Sequence, residues 1–255
     1  MSWFLLVILF CCMMLIVYMY REAHRNTIRY EQLKFDSFPE SFGELKVFFI
    51  SDIHRRIVSE EIIASLTGRA DLVIIGGDIT EKGVPFSRVL ENINRLKKIG
   101  PLYFVWGNND YEVDYHELDA LLINHGVKIL DNTALSFEST TGEKLALIGV
   151  DDMNRKRDRL DLALSDCDKV GFRMLVSHDP RIMRKINNDD HIHFVMSGHT
   201  HGGQIRLGRL GFYHKGGISH HDKTVLLISN GYGTTSVPLR FGAPAETHFI
   251  TISKK

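Results

Sequence analysis

The sequence predicts an α/β fold with two packed sheets, helices outside them and an apolar segment at the N-terminus. In the first half of the chain, short apolar runs alternate with amphipathic stretches, which is the order of a parallel sheet covered by helices. In the second half the apolar runs follow one another with few helical patterns between them, which indicates a second sheet. A content of 44% hydrophobic and 24% charged residues excludes a largely disordered chain.

The predicted strands are continuous apolar runs, which are typical of strands buried on both faces of a sheet. In the first half they lie at 47–50, 72–75 and 102–105 and are followed in turn by helices at 60–66, 85–99 and 115–124. In the second half they lie at 145–150, 174–176, 194–196, 225–228 and 249–252.

The N-terminal run at residues 3–20 is apolar throughout and predicts a retained transmembrane anchor. As a helix it would be about 27 Å long, close to the roughly 30 Å hydrocarbon core of a bilayer. A cleaved signal peptide would need an early basic residue and a small-residue cleavage site, and the sequence has neither. Arg21, Arg25 and Arg29 follow the run, so the positive-inside rule predicts a single-pass protein of the cell membrane with a cytoplasmic catalytic domain. The predicted parts are an anchor at 1–20, a linker at 21–40 and a single domain at 41–255.

Charge and cysteine content narrow the classes of function. The 31 basic and 31 acidic residues give a formal net charge of zero, and no Lys/Arg run offers a nucleic-acid groove, so no nucleic-acid partner is expected. Cys11 and Cys12 lie in the anchor and Cys167 stands alone, which excludes a disulfide framework in the soluble part.

Five of the predicted strands are followed at once by side chains that can bind metals. In open α/β sheets, ligands bind beyond the carboxyl ends of the strands, so these side chains are expected to converge although the sequence separates them widely. The candidates are Asp52, His54, Asp78, Asn108, His178, His199 and His201.

These residue types predict a centre for two divalent metal ions (Mn, Zn, Fe or Mg), because carboxylate, amide and imidazole donors without thiolate suit hard or borderline metals. Asp52 and His54 are two residues apart, as are His199 and His201, which places each pair on one side of an extended chain. Asp78 lies between the pairs in sequence, and one carboxylate can bridge two ions. Two ions about 3.5–4 Å apart activate water to hydroxide for in-line attack on phosphorus.

The same residues resemble the calcineurin-like metallophosphoesterase family. The blocks are Asp52-x-His54, Gly77-Asp78, Gly107-Asn108, His178 and Gly198-His199-Thr200-His201; the stretches at 198–204, 229–233 and 238–242 look like the membrane-anchored bacterial YkuE/YaeI-like branch. The resemblance implies a four-layer α/β/β/α sandwich, the metallo-dependent phosphatase fold. It also implies that Asp52, His54, Asp78 and His201 hold one metal and that Asp78, Asn108, His178 and His199 hold the other.

Asn109 departs from the family pattern, in which a histidine protonates the leaving group or steadies the phosphate. An amide donates a hydrogen bond but cannot deliver a proton. We take Asn109 and Asp78 as the catalytic candidates and expect a preference for good leaving groups, such as nucleotide diphosphates or aryl phosphates, unless Tyr111 or His116 supplies the acid. Arg55, after the first motif, is the candidate clamp for a substrate phosphate, and Arg240 is a similar candidate.

The sequence therefore predicts a metal-dependent phosphoesterase, either a phosphodiesterase or a pyrophosphatase. The anchor makes a lipid-linked or cell-envelope phosphate compound one expected substrate. Two alternatives stay open: a non-catalytic metal-binding membrane scaffold, which Asn109 favours, and a nuclease on the same fold.

Overall fold

The computed structural model of the chain describes residues 2–168, 171–208, 210–211 and 213–255. Within these residues, two stacked six-stranded sheets form the centre and helices cover both outer faces. The helices are α1 Ser2–Ala23, α2 Glu60–Leu66, α3 Phe86–Leu96, α4 Tyr115–Asn124 and α5 Leu160–Ser165. The strands are β1 Thr27–Phe35, β2 Glu44–Ile50, β3 Leu72–Ile75, β4 Leu102–Phe104, β5 Lys128–Ile129, β6 Thr133–Glu138, β7 Lys144–Gly149, β8 Phe172–Val176, β9 Phe194–Ser197, β10 Gly217–His221, β11 Thr224–Ile228 and β12 Glu246–Lys254.

Parallel strands in both sheets bring several strand ends to common edges. The first sheet has the order β1-β12-β2-β3-β4-β5, with β2, β3, β4 and β5 parallel to one another. The second has the order β10-β11-β9-β8-β7-β6, with β7, β8, β9 and β11 parallel. The carboxyl ends of β2, β3 and β4 therefore share one edge, as do those of β8 and β9.

Three apolar layers confirm the predicted α/β/β/α sandwich. Phe49 of β2 and Phe194 of β9 belong to the layer between the two sheets. A second layer, under α2, α3 and α4, includes Ile93, and a third, under α5, includes Ala163. Each sheet thus buries both faces, which explains why its central strands are continuous apolar runs in the sequence.

The predicted linker at 21–40 needs correction, because residues 27–35 form β1, which pairs in parallel with β12 along its whole length. β1 is an edge strand whose outer side chains, such as Arg29 and Tyr30, are exposed. A half-exposed edge strand carries polar residues and lacks the continuous apolar run that marked the central strands.

The helix α1 is a candidate membrane span. Trp3–Ala23 has a mean hydropathy of 2.5, and its apolar side chains are largely exposed. The helix continues past the predicted anchor end at residue 20, and its last turn contacts the rest of the chain: the backbone N–H of Arg240 donates to Met19 O (3.0 Å), and that of Ala245 to Glu22 O (3.2 Å).

Candidate metal centre

The strand ends bring the predicted ligands together in two touching groups. In the first group, Nε2 of His201 lies 3.3 Å from Oδ1 of Asp52 and 3.1 Å from Nε2 of His54. All three side chains are buried, and together they can offer three ligand atoms to one ion.

Asp78 connects the first group with the second. Its Oδ2 lies 3.2 Å from Nε2 of His178 and 3.8 Å from Nε2 of His54. Nε2 of His178 in turn lies 3.2 Å from Nδ1 of His199. Asp52, Asp78 and His178 also satisfy the spacing of a metal site. The carboxylate of Asp78 is therefore placed between two sets of donors.

The backbone at this centre is unusual, because five predicted ligands have positive φ. The angles are 54° at Asp52, 51° at His54, 53° at Asp78, 68° at His199 and 49° at His201. Residues with side chains rarely adopt this left-handed region, and such strain clusters at functional sites. The backbone strain is therefore concentrated at the residues whose side chains form the candidate metal centre.

Glycines keep space open around the two aspartates. A Cβ on Gly198 would lie 2.4 Å from Oδ2 of Asp52, and a Cβ on Gly107 would lie 2.3 Å from Oδ1 of Asp78. Both distances are too short for any side chain, so only glycine permits this approach.

Asn109 contacts the centre in two ways. Its backbone N–H donates to Oδ1 of Asp78 (2.8 Å), and its side-chain Oδ1 accepts from Nδ2 of Asn108 (2.8 Å). The second bond orients the Asn108 amide so that its Oδ1 is left free, and this buried oxygen has no hydrogen-bond partner among the described residues. A free buried oxygen beside Asp78 is a suitable metal ligand.

Two histidines have an oxygen atom close to the ring nitrogen that faces away from the centre. Nδ1 of His178 lies 2.8 Å from the carbonyl oxygen of Gly76, so it carries the proton and leaves Nε2 free for a metal. Nδ1 of His54 lies 3.0 Å from Oε2 of Glu81, which also pairs with Arg55. The sequence analysis missed Glu81, and only its position three residues after Asp78 could have drawn attention to it.

Burial and nearby carboxylates shift the pKa values of the four histidines in opposite directions. Burial opposes protonation of His178 and His54, yet nearby carboxylates, above all Asp78 for His178 and Glu81 for His54, raise the pKa of both. Burial lowers the pKa of His199 and His201, which favours the neutral imidazole that metals bind. A cation placed among these groups would offset the carboxylate charge.

Asp110 is structural, joining the loops after β3 and β4. Its carboxylate accepts from the backbone N–H groups of Asp78 (2.8 Å), Thr80 (3.1 Å) and Gly107 (2.9 Å). Burial and the charge of Asp78 raise the pKa of Asp110, while the N–H donors oppose the shift. Asp110 therefore fixes the position of Asp78.

A cavity of about 380 Å³ opens beside these ligands. The described residues that line it are Asp78, Asn108, Asn109, His199, Thr200, His201, Gly203, Gln204, Tyr213 and Thr235. Tyr213 and Thr235 come from loops that the sequence analysis did not connect with the site, and no signal in the sequence places them there.

The structure does not place the other predicted substrate and acid residues at this cavity. Arg55 lines a separate pocket and pairs with Glu81. Arg240 is fully buried and donates to backbone carbonyls, among them that of Asn230 (2.7 Å), so it cannot contact a substrate. Tyr111 donates to Asp151 (2.6 Å), and His116 is exposed on α4, so neither lies among the described lining residues.

The donor set fits divalent cations. The free Asn108 oxygen, the glycine-lined space beside both aspartates and the imidazoles of His199 and His201, whose pKa values burial lowers, match what a metal centre requires. Family comparison agrees: residues 45–203 match the model of the calcineurin-like phosphoesterase domain, and the chain belongs to that family.

The chain is similar over most of its length to two proteins of Bacillus subtilis and to a vertebrate protein named for a transmembrane segment. The uncharacterized protein YpbG of Bacillus subtilis is 46% identical over 240 residues, covering 92% of this chain and 90% of YpbG. The uncharacterized metallophosphoesterase YkuE of the same organism is 24% identical and covers 91% of this chain and 87% of its own length. A transmembrane protein with a metallophosphoesterase domain from Danio rerio is 28% identical over 88% of this chain and 56% of its own length.

A solved structure carries the same fold. The NAD nucleotidase NadN of Haemophilus influenzae superposes with a TM-score of 0.53 at 17% identity, over 74% of this chain and 46% of NadN. This likeness extends to the fold alone. The chain is thus a member of the calcineurin-like phosphoesterase family, with clustered Asp and His side chains of the type that binds divalent metal and an apolar N-terminal helix that is a candidate membrane span.

Proposed function

We propose that this chain is a phosphoric ester hydrolase with a binuclear metal centre. The observation that carries the proposal is the position of Asp78 between two donor groups, within 3.2 Å of His178 and 3.8 Å of His54. One ion would be held by Asp52, His54, Asp78 and His201, and the other by Asp78, Asn108, His178 and His199.

Two divalent cations bound there would supply Lewis acidity, which lowers the pKa of water and offsets the charge of a phosphoryl group. The protein's own residues hold and orient this chemistry. Asp110 fixes Asp78 through backbone N–H groups, and the Gly76 carbonyl fixes His178. Asn109 orients Asn108 and presents an amide at the cavity wall, where it can donate a hydrogen bond to a phosphoryl oxygen.

Leaving-group preference follows from Asn109, the amide at the position where the family pattern has a histidine. Neither Tyr111 nor His116 lies among the described lining residues, and an amide cannot protonate a leaving oxygen. The proposed reaction is therefore hydrolysis of diesters or pyrophosphates whose leaving groups depart without a proton. Arg55 would reach a substrate phosphate only after its ion pair with Glu81 opened.

The test is hydrolysis of bis(p-nitrophenyl) phosphate by the full chain in detergent with Mn²⁺, together with metal content by mass spectrometry. We expect two ions per chain and metal-dependent turnover. Asp78→Asn should lose both turnover and part of the metal, whereas Asp161→Asn, a matched change at an exposed carboxylate, should retain both. Equal turnover by Asp78→Asn would refute the proposal.

The second candidate is a metal-binding membrane scaffold, which the replacement of histidine by Asn109 favours. Two bound ions with no hydrolysis of aryl diesters, nucleotide diphosphates or lipid phosphates would support that candidate instead.

A further inference from the structure

Two loops beside the cavity expose large apolar side chains to solvent. Leu207 is 74% exposed, Leu210 77% and Tyr213 57%. Ile205 and Val237 are also exposed. We call these residues the rim patch: Ile205, Leu207, Leu210, Tyr213 and Val237. A cluster of this kind at the mouth of a cavity marks an interaction surface.

The rim patch is continuous with the end of the membrane-span candidate α1. The ring of Tyr18 packs edge-on against Phe241, with centroids 5.9 Å apart. Phe241 in turn pairs with the patch loop: its backbone N–H donates to Gln204 O (2.9 Å), and its carbonyl accepts from Arg206 N–H (2.8 Å). Phe241 therefore connects the helix at Tyr18 with the loop segment that carries Ile205 and Leu207.

Hydrogen bonds hold the loops in this exposed arrangement. The Arg206 guanidinium donates to the carbonyls of Gly202 (2.9 Å), Gly208 (3.1 Å) and Tyr213 (3.0 Å). The amide of Gln204 donates to Thr235 O (3.0 Å) and Val237 O (2.9 Å). The loops thus present their apolar side chains outward on a fixed backbone.

We infer that the rim patch enters the same bilayer that α1 spans. A helix that crosses the membrane and leaves it at Tyr18 and Tyr20 brings the interface to that level, where aromatic residues are enriched. Apolar side chains beside that level are stabilised when they move from water into the lipid interface. If α1 spans a membrane, the bilayer is next to the rim patch, because Phe241 contacts both the helix and the patch loop.

The position of the cavity then indicates a substrate class. Gln204, Tyr213 and Thr235 line the cavity and belong to the loops that carry the rim patch. A mouth at the bilayer surface suits a phosphoester whose other half stays in the membrane. This second step, unlike the first, rests on the proposed hydrolase function.

The first test measures the environment of the rim patch in the full chain. In a Cys11→Ser/Cys12→Ser background, Leu210→Cys carries an NBD dye in nanodiscs of neutral and anionic phosphatidyl lipids. Leu162→Cys is the matched control, because Leu162 is exposed on α5, which packs at β6 and β7, the opposite edge of the second sheet from β10. The signal from dye on the buried Cys167 is measured in the Cys11→Ser/Cys12→Ser chain without a Leu→Cys change and is subtracted.

We expect blue-shifted emission at position 210 and quenching by doxyl lipids, with neither at position 162. Water-like emission at both positions would overturn the inference. Blue-shifted emission without lipid quenching would also overturn it and would indicate a protein occupant.

The second test compares two substrates with the same leaving group: phosphatidyl-p-nitrophenol in the nanodiscs and soluble bis(p-nitrophenyl) phosphate. Replacing Leu207 and Leu210 with serine should raise the apparent KM for the lipid substrate about tenfold, since two apolar contacts with the bilayer are lost. The rate with the soluble substrate should change less than about twofold.

Contact of the rim patch with the bilayer and hydrolysis of a lipid-borne substrate are refuted by different results. No hydrolysis of either substrate by the unsubstituted chain would refute the proposed function and leave the dye result standing. Hydrolysis of the soluble substrate alone, or equal effects of the substitutions on both, would refute the lipid-borne substrate class.

Discussion

Oε2 of Glu81 lies 3.0 Å from Nδ1 of His54, on the far side of the imidazole from Asp78. The pair has the distance but not the angles of a hydrogen bond, and a carboxylate beside the outer nitrogen of a metal-binding histidine increases its basicity. The contact is therefore expected to act on metal affinity rather than on substrate.

Glu81→Gln should weaken Mn²⁺ binding about tenfold or more, because loss of the outer partner of a ligating histidine typically has that effect. Isothermal titration with Mn²⁺ measures it. Glu138→Gln changes an exposed carboxylate and should leave affinity unchanged. Unaltered affinity in Glu81→Gln would show that Glu81 serves only to pair with Arg55.

Asn109→His should restore a proton donor at the cavity. General acid catalysis contributes about 10²–10⁴-fold, and the gain should be larger for alkyl than for aryl phosphodiesters, since only the poor leaving group needs the proton. The ratio of kcat values for the two esters is the measurement. An unchanged ratio would refute the proposed leaving-group preference.

Gly198→Ala should abolish metal binding with a smaller effect on folding, because its Cβ would meet the Asp52 carboxylate at 2.4 Å. Gly126→Ala is the contrasting control: its φ of 72° strains any side chain, but the space around it is open. That variant should lower the melting temperature and keep its metal. Full metal content in Gly198→Ala would place Asp52 outside the centre.

The buried imidazole of His248 should make the fold less stable in acid. Its ring nitrogens have no hydrogen-bond partner among the described residues, and burial lowers its pKa to about 4. The unfolded chain binds a proton below about pH 6.5 while the folded chain does not, so stability should fall as pH drops from 6.5 to 4, by about 3 kcal/mol. Unfolding in detergent with EDTA at both pH values, compared with His248→Phe, checks this; an identical pH dependence in the variant would contradict it.

Membrane orientation can be tested with reporter fusions at the C-terminus. Arg21 and Arg25, exposed just after the apolar run, predict that the domain stays in the cytoplasm. A green fluorescent protein fusion should then fluoresce and an alkaline phosphatase fusion should be inactive. The opposite pair of results would place the domain outside.

The sequence predicted the central strands closely, because strands buried on both faces are continuous apolar runs. β3 at Leu72–Ile75 matches its predicted range, and β2 and β8 differ only at their starts. The four edge strands β1, β5, β6 and β10 were missed, since partly exposed strands mix polar side chains into their sequences. Their pairing depends on distant partners, as β1 depends on β12.

The convergence of ligands was predictable because parallel strands end at a common edge, as β2 and β3 do. Glu81 and Tyr213 were not predictable, since loop paths after a strand are set by tertiary hydrogen bonds such as those of Arg206. Arg240 was predicted as a phosphate clamp because of its charge, but its partners are backbone carbonyls and Nδ1 of His201 (3.1 Å), which a sequence does not reveal.

The contacts at the end of α1 determine where the chain can be cut. Arg56 donates to the carbonyls of Ala23 (3.3 Å), His24 (3.3 Å) and Arg25 (3.1 Å), so the segment after the helix is tied to the first motif loop. Truncation near residue 35 would remove these acceptors together with β1 and leave β12 as an unpaired edge prone to aggregation. A soluble version should therefore begin within the last two turns of the helix, before Met19, with the outward apolar residues replaced by polar ones.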